Sequence, residues 1–357
     1  MSKNTLMDKA SEFGIITDLH ISEDNWEEVV ECCEEAIDKC VELELEHLFI
    51  AGDIFTSRKG QTQPTLFAFA MILDYSRKKK LHITAIAGNH DKMSYISEAS
   101  YLDTFAPYEG FTLVKDHCVH HMRGISVATI PFFKESDGTF DKYFKEIGKI
   151  GKETPIDYLI THIAVDGVKN NDGSEVEKSF NKSRFKAFKK VFIGHYHNQQ
   201  KIGKNIYYIG SLRQNNFGED DKKGLTVVYR DGSHEQFKLN FTNYRTVVID
   251  LDKVKPEEID KMKELKRKKG DKVRLKIKGT KEQVAAVNKV KFKMLGYSID
   301  TDIYDPNVNV DYSDIKEFRG FDAGEILTQW GLFSKENKVS KKDGEYCKDK
   351  LEEILNK

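Results

Sequence analysis

The chain has 357 residues, 39% of them hydrophobic and 11% aromatic, enough to bury a sizeable core and, by length, to divide into two domains. No apolar run approaches the roughly 18 to 20 residues that cross a bilayer, and residues 1–13 are polar without an apolar signal core, so a cytoplasmic protein with no membrane partner is expected. The formal net charge of -1 is unevenly spread: residues 253–293 carry 16 Lys and Arg against 6 Asp and Glu, so a basic segment stands beside an acidic body. The cysteines, Cys32, Cys33, Cys40, Cys118 and Cys347, lack Cys-x-x-Cys spacing and are expected to be reduced and packed.

Residues 13–17 read as a short buried strand that delivers Asp18 and His20 at its end, two residues apart and so able to point the same way. A helix over 25–45 follows, its stripe traced by Val29, Val30, Cys33, Ile37, Cys40, Val41 and Glu44. The strand at 47–51 ends in Gly52-Asp53, and a helix over 64–76 has Pro64 in its first turn. The apolar run 81–87 then closes in Gly88-Asn89-His90-Asp91. Strand and helix alternate, which argues for an α/β core whose ligands collect at the carboxyl ends of the strands. Further strands at 124–131, 156–160 and 191–194 lead towards Pro131, His162 and the triplet His195-Tyr196-His197.

After His197 the chain turns to β character at 205–209, 224–230 and 235–241, which completes a first domain of residues 1–243. A β-α-β-α-β pattern follows, with strands at 246–251, 272–277 and 298–303 and helices at 256–268 and 281–295; it defines a small second domain, 244–312. Residues 313–357 hold two short helical stretches, one with Phe318, Phe321, Ile326, Leu327 and Trp330, the other with Leu351, Ile354 and Leu355.

Asp18, His20, Asp53, Asn89, His162, His195 and His197 form a mixed oxygen and nitrogen donor set too large for one ion. Two divalent ions fit, since a carboxylate such as Asp53 can bridge a pair about 3.5 to 4 Å apart, the arrangement that activates water for in-line displacement at phosphorus. Such donors suit Mn, Fe or Zn better than a thiolate cage does. Within Gly88-Asn89-His90-Asp91, Asn89 offers a neutral oxygen, His90 a ring able to protonate a phosphate oxygen, and Asp91 a carboxylate to orient that ring. The remaining histidines, His47, His82, His117, His120, His121 and His234, match no motif and are expected to be structural or solvent-facing. In the basic segment, Lys266, Arg267, Lys268, Lys269, Arg274, Lys276 and Lys278 could attract a DNA backbone without reading its sequence, Lys276 and Lys278 sharing one strand face.

Taken together, Asp18-x-His20, Gly52-Asp53, Gly88-Asn89-His90-Asp91, His162 and Gly194-His195-x-His197 resemble the calcineurin-like metallophosphoesterase signature over residues 18–197. His195-Tyr196-His197-Asn198-Gln199-Gln200, with Gly210-Ser211, Phe217-Gly218-Glu219 and Lys223-Gly224, narrows the resemblance to the SbcD exonuclease branch, which includes the small nuclease subunits of phage recombination complexes. The resemblance implies a four-layer sandwich, two mixed β-sheets flanked by helices, with a small α/β capping domain and a C-terminal helical tail. It also implies that Asp18, His20, Asp53 and His197 hold one ion and Asp53, Asn89, His162 and His195 the other, most simply Mn2+, while His90 works on the phosphate and Asp91 holds its ring. The implied function is a DNA exonuclease or endonuclease of recombination and repair, in the cytoplasm of a bacterial cell or phage-infected host. Its implied partners are DNA, an SbcC-type coiled-coil ATPase docked on residues 313–357, and a second copy of the chain. A phosphomonoesterase or cyclic-nucleotide phosphodiesterase, and a catalytically weak DNA-binding regulatory subunit, are the competing functions. One position departs from the pattern: many members of this branch carry a histidine three residues after the bridging aspartate, where this chain has Thr56.

Overall fold

The computed structural model describes residues 11–94, 99–134, 136, 138–170, 173–176, 179–266 and 270–304, with Trp330 and Lys348. Arg267, Lys268 and Lys269 and the expected helices of the tail, Trp330 apart, lie outside the described residues. Residues 1–278 and 283–302 group as one unit, and residues 279–282 and 303–357 as a second, in which the Tyr304 N–H donates to the Gly279 carbonyl at 3.2 Å.

In the first unit, β1 (Ser11–Ile16), β2 (His47–Ala51), β3 (His82–Ile86) and β4 (Phe111–Val114) are parallel neighbours. Two antiparallel strands, β11 (Leu225–Tyr229) and β12 (His234–Phe237), extend this sheet beyond β1, giving the order β12-β11-β1-β2-β3-β4. A second six-stranded sheet runs β5-β6-β7-β8-β10-β9, built from β5 (Cys118–Met122), β6 (Ile125–Ile130), β7 (Tyr158–Thr161), β8 (Lys190–Ile193), β9 (Gln200–Ile202) and β10 (Ile206–Tyr208). Parallel strands β6, β7 and β8 form its centre, so the predicted mixed sheets are present.

Side chains alternate between the two faces of each strand, and this fixes the layers. From the inward faces, Phe13, Ile15, Phe49, Ala51, Val127, Tyr158, Ile160 and Phe192 meet in a shared core between the sheets. On the outer face of the first sheet lie α1 (Trp26–Glu42) and α2 (Gln63–Lys78), which bury Val29, Cys33, Ile37, Cys40, Phe69 and Ile72 against Leu48, Ile50 and Ile83. On the second sheet α3 (Thr139–Glu153) buries Phe140 and Ile147 against Leu159 and Val191. Each such Leu, Ile or Phe removed from water contributes roughly 1.5 to 3 kcal/mol. Cys32, Cys33 and Cys40 are free, buried thiols within this packing, and burial pushes Cys32 and Cys40 up to about 12.

A third sheet joins β13 (Tyr244–Asp250), β14 (Lys272–Gly279) and β15 (Ser298–Ile303) in that order, with β13 and β14 parallel. Its strands match the expectation, but its helices are broken. The expected helix over 256–268 is two 3-10 turns, Pro256–Lys261 and Lys263–Leu265, because Met262 between them is extended. The expected helix over 281–295 divides into α4 (Lys281–Ala286) and α5 (Lys289–Met294), where the Asn288 side chain accepts from the Lys291 N–H and starts a new helix. Helix α1 stops before Glu44, which is left-handed at φ 57, and Val41 at its end is exposed, so neither extends the buried stripe. No helix of the described residues is long and apolar enough to cross a membrane.

Candidate metal centre

The predicted donors all lie just beyond the carboxyl ends of β1, β2, β3, β7 and β8. Backbone bonds tie these ends together: the Asp18 N–H donates to Gly52 O at 3.0 Å and the His20 N–H to Asp53 O at 3.1 Å. Asp18, His20, Asp53 and His195 adopt positive φ of 53, 49, 52 and 87°, a conformation side chains seldom take and one that surrounding contacts must enforce. Glycines allow the approach. A Cβ on Gly88 would strike the Asp53 carboxylate, and one on Gly194 would strike Thr17 and the Ala51 carbonyl.

Two groups of donors result. Asp18, His20 and His197 offer ligand atoms that lie within 4.8 Å of one another, as do Asp53, His162 and His195. Asp53 Oδ2 stands between them, 3.8 Å from His20 Nε2 and 3.3 Å from His162 Nε2, while its Oδ1 accepts the His90 N–H at 2.8 Å. Asn89 Oδ1 faces both His162 Nε2, at 3.2 Å, and His195 Nδ1, at 2.9 Å. Thus all seven predicted donors are brought together, with one carboxylate placed to touch both groups.

The donor chemistry fits a pair of cations. His20 Nε2 and His197 Nε2 face each other at 3.0 Å beside the buried Asp18 and Asp53 carboxylates, an arrangement of converging lone pairs that a cation would complete. Burial first, then neighbouring charge, sets the protonation tendencies. Burial holds the His20 and His195 rings down to about 3, neutral as ligands must be. Burial opposes charge on His162 too, but the Asp53 carboxylate beside it prevails and lifts that ring to about 9. Burial raises Asp18; it acts the same way on Asp53, but the charge and hydrogen bond of His162 with the His20 and His90 charges together outweigh it and lower that carboxylate.

Partners behind the donors fix the ring orientations. His162 Nδ1 donates to the Ala51 carbonyl at 2.7 Å, which leaves Nε2 as its ligand atom. His197 Nδ1 donates to Glu219 Oε1 at 2.7 Å, a carboxylate-histidine pair of the kind that orients metal ligands. Glu219 is buried and further held by the Asn215 N–H at 3.1 Å, Asn216 Nδ2 at 2.8 Å and Ser211 Oγ at 3.3 Å. Lys223, fully buried, lies 3.3 Å from Glu219 Oε2 and donates to the His197 carbonyl. Sequence reasoning used Glu219 and Lys223 only as marks of resemblance; their roles depend on contacts across 22 and 26 residues.

The expected role of Asp91 is corrected. Its carboxylate does not touch the His90 ring but accepts the N–H groups of Ile54 at 2.9 Å, Phe55 at 3.0 Å and Gly88 at 2.8 Å, so it staples the loops after β2 and β3. Burial, with the Asp53 charge, pushes Asp91 up to about 7 against the bonds from Phe55 and Gly88. The His90 ring is instead oriented by the backbone of Thr56: Nδ1 donates to the Thr56 carbonyl at 2.6 Å, and Thr56 Oγ1 donates to His20 O at 2.8 Å. The departure from the family pattern at Thr56 therefore sits in direct contact with both histidines.

The centre opens into a cleft of about 490 Å³ lined by His20, Asp53, Asn89, His90, His195 and His197 and, on the facing wall, by Arg213, Asn215, Tyr244 and Lys272. Of the predicted DNA-binding residues, Lys266 and Lys278 are exposed and Lys276 pairs loosely with Asp302 at 3.8 Å. Arg274 is half-buried: its guanidinium donates to Thr246 Oγ1 and lies 4.9 Å over the Phe217 ring. Lys272, outside the predicted set, is the β14 lysine that reaches the cleft, and strand alternation puts it on the same face as Arg274, Lys276 and Lys278.

A layered α/β sandwich with a paired oxygen and nitrogen donor set over its strand ends defines a metal-dependent hydrolase. The profile of the calcineurin-like phosphoesterases matches residues 12–199, and the chain belongs to that family. It is 21% identical over 277 residues to the putative phosphoesterase 244L of Invertebrate iridescent virus 6, which covers 73% of this chain and 93% of the viral one. Solved structures it is similar to include a dimetal phosphatase from Danio rerio, 8% identical with a TM-score of 0.43 over 62% of this chain and 93% of that one. Another is the Pseudomonas putida nuclease MPE, 17% identical with a TM-score of 0.24 over 52% of this chain and 61% of that one.

Proposed function

We propose that the protein is a two-metal nuclease that hydrolyses the phosphodiester bonds of DNA. The observation that supports hydrolysis at phosphorus most directly is the shared Asp53 carboxylate between two donor groups, with the His90 ring 5.0 Å from that of His20 on the same cleft. When bound, the ions supply Lewis acidity and an activated water. Asp18, His20, Asp53 and His197 would hold one and Asp53, Asn89, His162 and His195 the other, and the oxygen and nitrogen donors suit Mn2+. His90, its Nδ1 committed to the Thr56 carbonyl, keeps Nε2 for the substrate, where it protonates the leaving oxygen or steadies the charge on phosphorus. DNA is favoured over small phosphoesters by Lys272 on the wall of the cleft and by Lys276 and Lys278 on the same face of β14.

In the same proposal residues 313–357 dock the coiled-coil base of an SbcC-type ATPase, and a homodimer acts in recombination and repair in the cytoplasm. Removing the residues after Asp314 then leaves metal-dependent cleavage and ends co-purification with the ATPase. The deciding assay uses labelled linear DNA, single- and double-stranded, with Mn2+ or Mg2+, beside 4-nitrophenyl phosphate and a cyclic nucleotide. DNA cleavage that falls about 10²- to 10⁴-fold in His90→Gln is expected. Turnover confined to the monoester or the cyclic nucleotide would assign the site to small substrates, and no turnover with any metal would leave a DNA-binding role.

A further inference from the structure

Arg213 is 1% exposed, yet its charge is poorly answered. Nη1 donates to the Gln214 carbonyl at 2.8 Å and forms an ion pair with Glu28 Oε2 at 3.6 Å, too long for a hydrogen bond, while the other Glu28 oxygen, Oε1, accepts the Thr242 N–H. Its Nε is buried without a hydrogen-bond partner among the described residues. Next in the chain but one, Asn215 has both side-chain atoms, Nδ2 and Oδ1, buried and without partners among the described residues. A buried amide or guanidinium left unpaired is costly, so two such residues on one wall call for a ligand. Both line the cleft that the metal centre opens into.

The remaining members of that wall extend the pattern outward. Lys272 Nζ donates to the Tyr244 hydroxyl at 2.9 Å, and Tyr244 is braced edge-on by Phe217, ring centres 5.1 Å apart. The wall thus offers a planar guanidinium, an amide with one donor and one acceptor side, an aromatic surface and a cationic rim. A guanidinium fork matches phosphate oxygens, an aromatic ring takes a base, and a lysine adds a point charge for a further phosphate.

From this wall we infer a nucleotide subsite: Arg213 and Asn215 bind the phosphate and sugar next to the scissile bond, and Tyr244 and Lys272 receive the base and backbone beyond it. The inference rests on the proposed phosphodiester hydrolysis and specifies its substrate as a strand continuing at least one nucleotide past the cut. A diester that lacks a second phosphate and a sugar leaves the Arg213 and Asn215 part of such a subsite unused.

The test compares two substrates in the full chain with Mn2+: bis(4-nitrophenyl) phosphate, which has no second phosphate, and a labelled oligothymidylate. In Arg213→Gln and in Asn215→Ala, the ratio of kcat/KM for the oligonucleotide to that for the small diester falls about tenfold or more, with the loss in KM. Equal losses on both substrates would mean that these residues serve the fold or the metal centre, and an unchanged ratio would remove the subsite. Because Arg213 is buried, binding is measured independently by anisotropy of labelled oligothymidylate on metal-free protein, wild type against Lys272→Gln on the exposed rim. Weaker binding with a salt slope reduced by about 0.7 in the variant supports the subsite, and identical curves overturn it. If the wild type cleaves neither diester with any divalent ion, the nuclease proposal fails, while the binding arm still decides the subsite.

Discussion

Clustered histidines stand at both ends of the parallel strands, and the clusters differ in what their ring nitrogens meet. Beyond the carboxyl ends stand His20, His162, His195 and His197; at the amino ends stand His47 and His82, joined across the sheets by His120 from β5. The rings are similarly close, with centres 4.8 Å apart for His20 and His197 and 4.7 Å for His47 and His82. At the amino end each ring has a neutral hydroxyl of its own: Thr84 for His47 at 3.1 Å, Thr112 for His82 at 2.9 Å and Thr129 for His120 at 3.1 Å. At the carboxyl end, Nδ1 of His162 and of His197 is committed to a carbonyl or a carboxylate, and their Nε2 atoms face Asp18, Asp53 and Asn89. Proximity of imidazoles therefore does not make a metal centre. Fixed tautomers, and lone pairs that converge on carboxylates, do.

The largest effect should come from the carboxylate that touches both donor groups. Asp53→Asn keeps the shape and the bond from the His90 N–H but removes the charge, and metal affinity at both positions should fall more than about a hundredfold, beyond what an outer contact produces. Metal content after gel filtration, read by mass spectrometry, checks it. His47→Gln at the opposite end should retain full metal content. If both variants lose metal alike, the contrast between the clusters is not a contrast in metal binding.

Glu219 sharpens the comparison, because it is what distinguishes the His197 ring from a threonine-bonded one. Glu219→Gln should weaken the Asp18, His20 and His197 position about 10- to 100-fold in calorimetric titration, with the Asp53, His162 and His195 position less affected. The variant also leaves Lys223 buried with less compensation, so Glu219→Gln with Lys223→Met removes both charges. Affinity that stays low in the double variant, with thermal stability restored, places the effect on the His197 ring. Recovery of affinity would show that Glu219 serves only to neutralise Lys223.

Most of the fold and all seven donors were legible because both rest on local sequence order: an apolar run followed at once by Gly-Asp, Gly-Asn-His or Gly-His-x-His. The short edge strands β4, β5 and β9 were not, since β5 reads Cys-Val-His-His-Met and has no apolar alternation to betray it. Helix α3 was missed although it packs Phe140 and Ile147, because its start follows a left-handed glycine, Gly138, with no side-chain cap. Roles that depend on what a side chain meets across the fold were the least legible. Asp91 follows His90 in sequence yet bonds Ile54 and Phe55, 37 and 36 residues away, and the His90 ring finds a main-chain carbonyl that no residue type could announce. The same applies to Arg213 and Lys272, which come from separate segments and meet only at the cleft.

The smallest effect belongs to the threonine-bonded cluster and appears in stability rather than catalysis. Burial, with the neighbouring histidines, holds His47 and His120 down to about 4 from the ordinary 6.5; Glu46 pulls His47 upward and His121 adds to the depression of His120. Between pH 6.5 and 4 the unfolded chain binds protons that these folded rings refuse, so their contribution is present above 6.5 and is lost as pH falls towards 4. The metal ligands titrate in the same range, and the difference between proteins isolates the cluster. Urea midpoints of metal-free wild type and of His47→Gln with His120→Gln, followed from pH 7.5 to 4.5, should show a shallower acid decline in the variant. Parallel declines would mean that the threonine hydroxyls accommodate charged rings as readily as neutral ones, and the distinction between the two ends of the strands would then rest on the carboxylates alone.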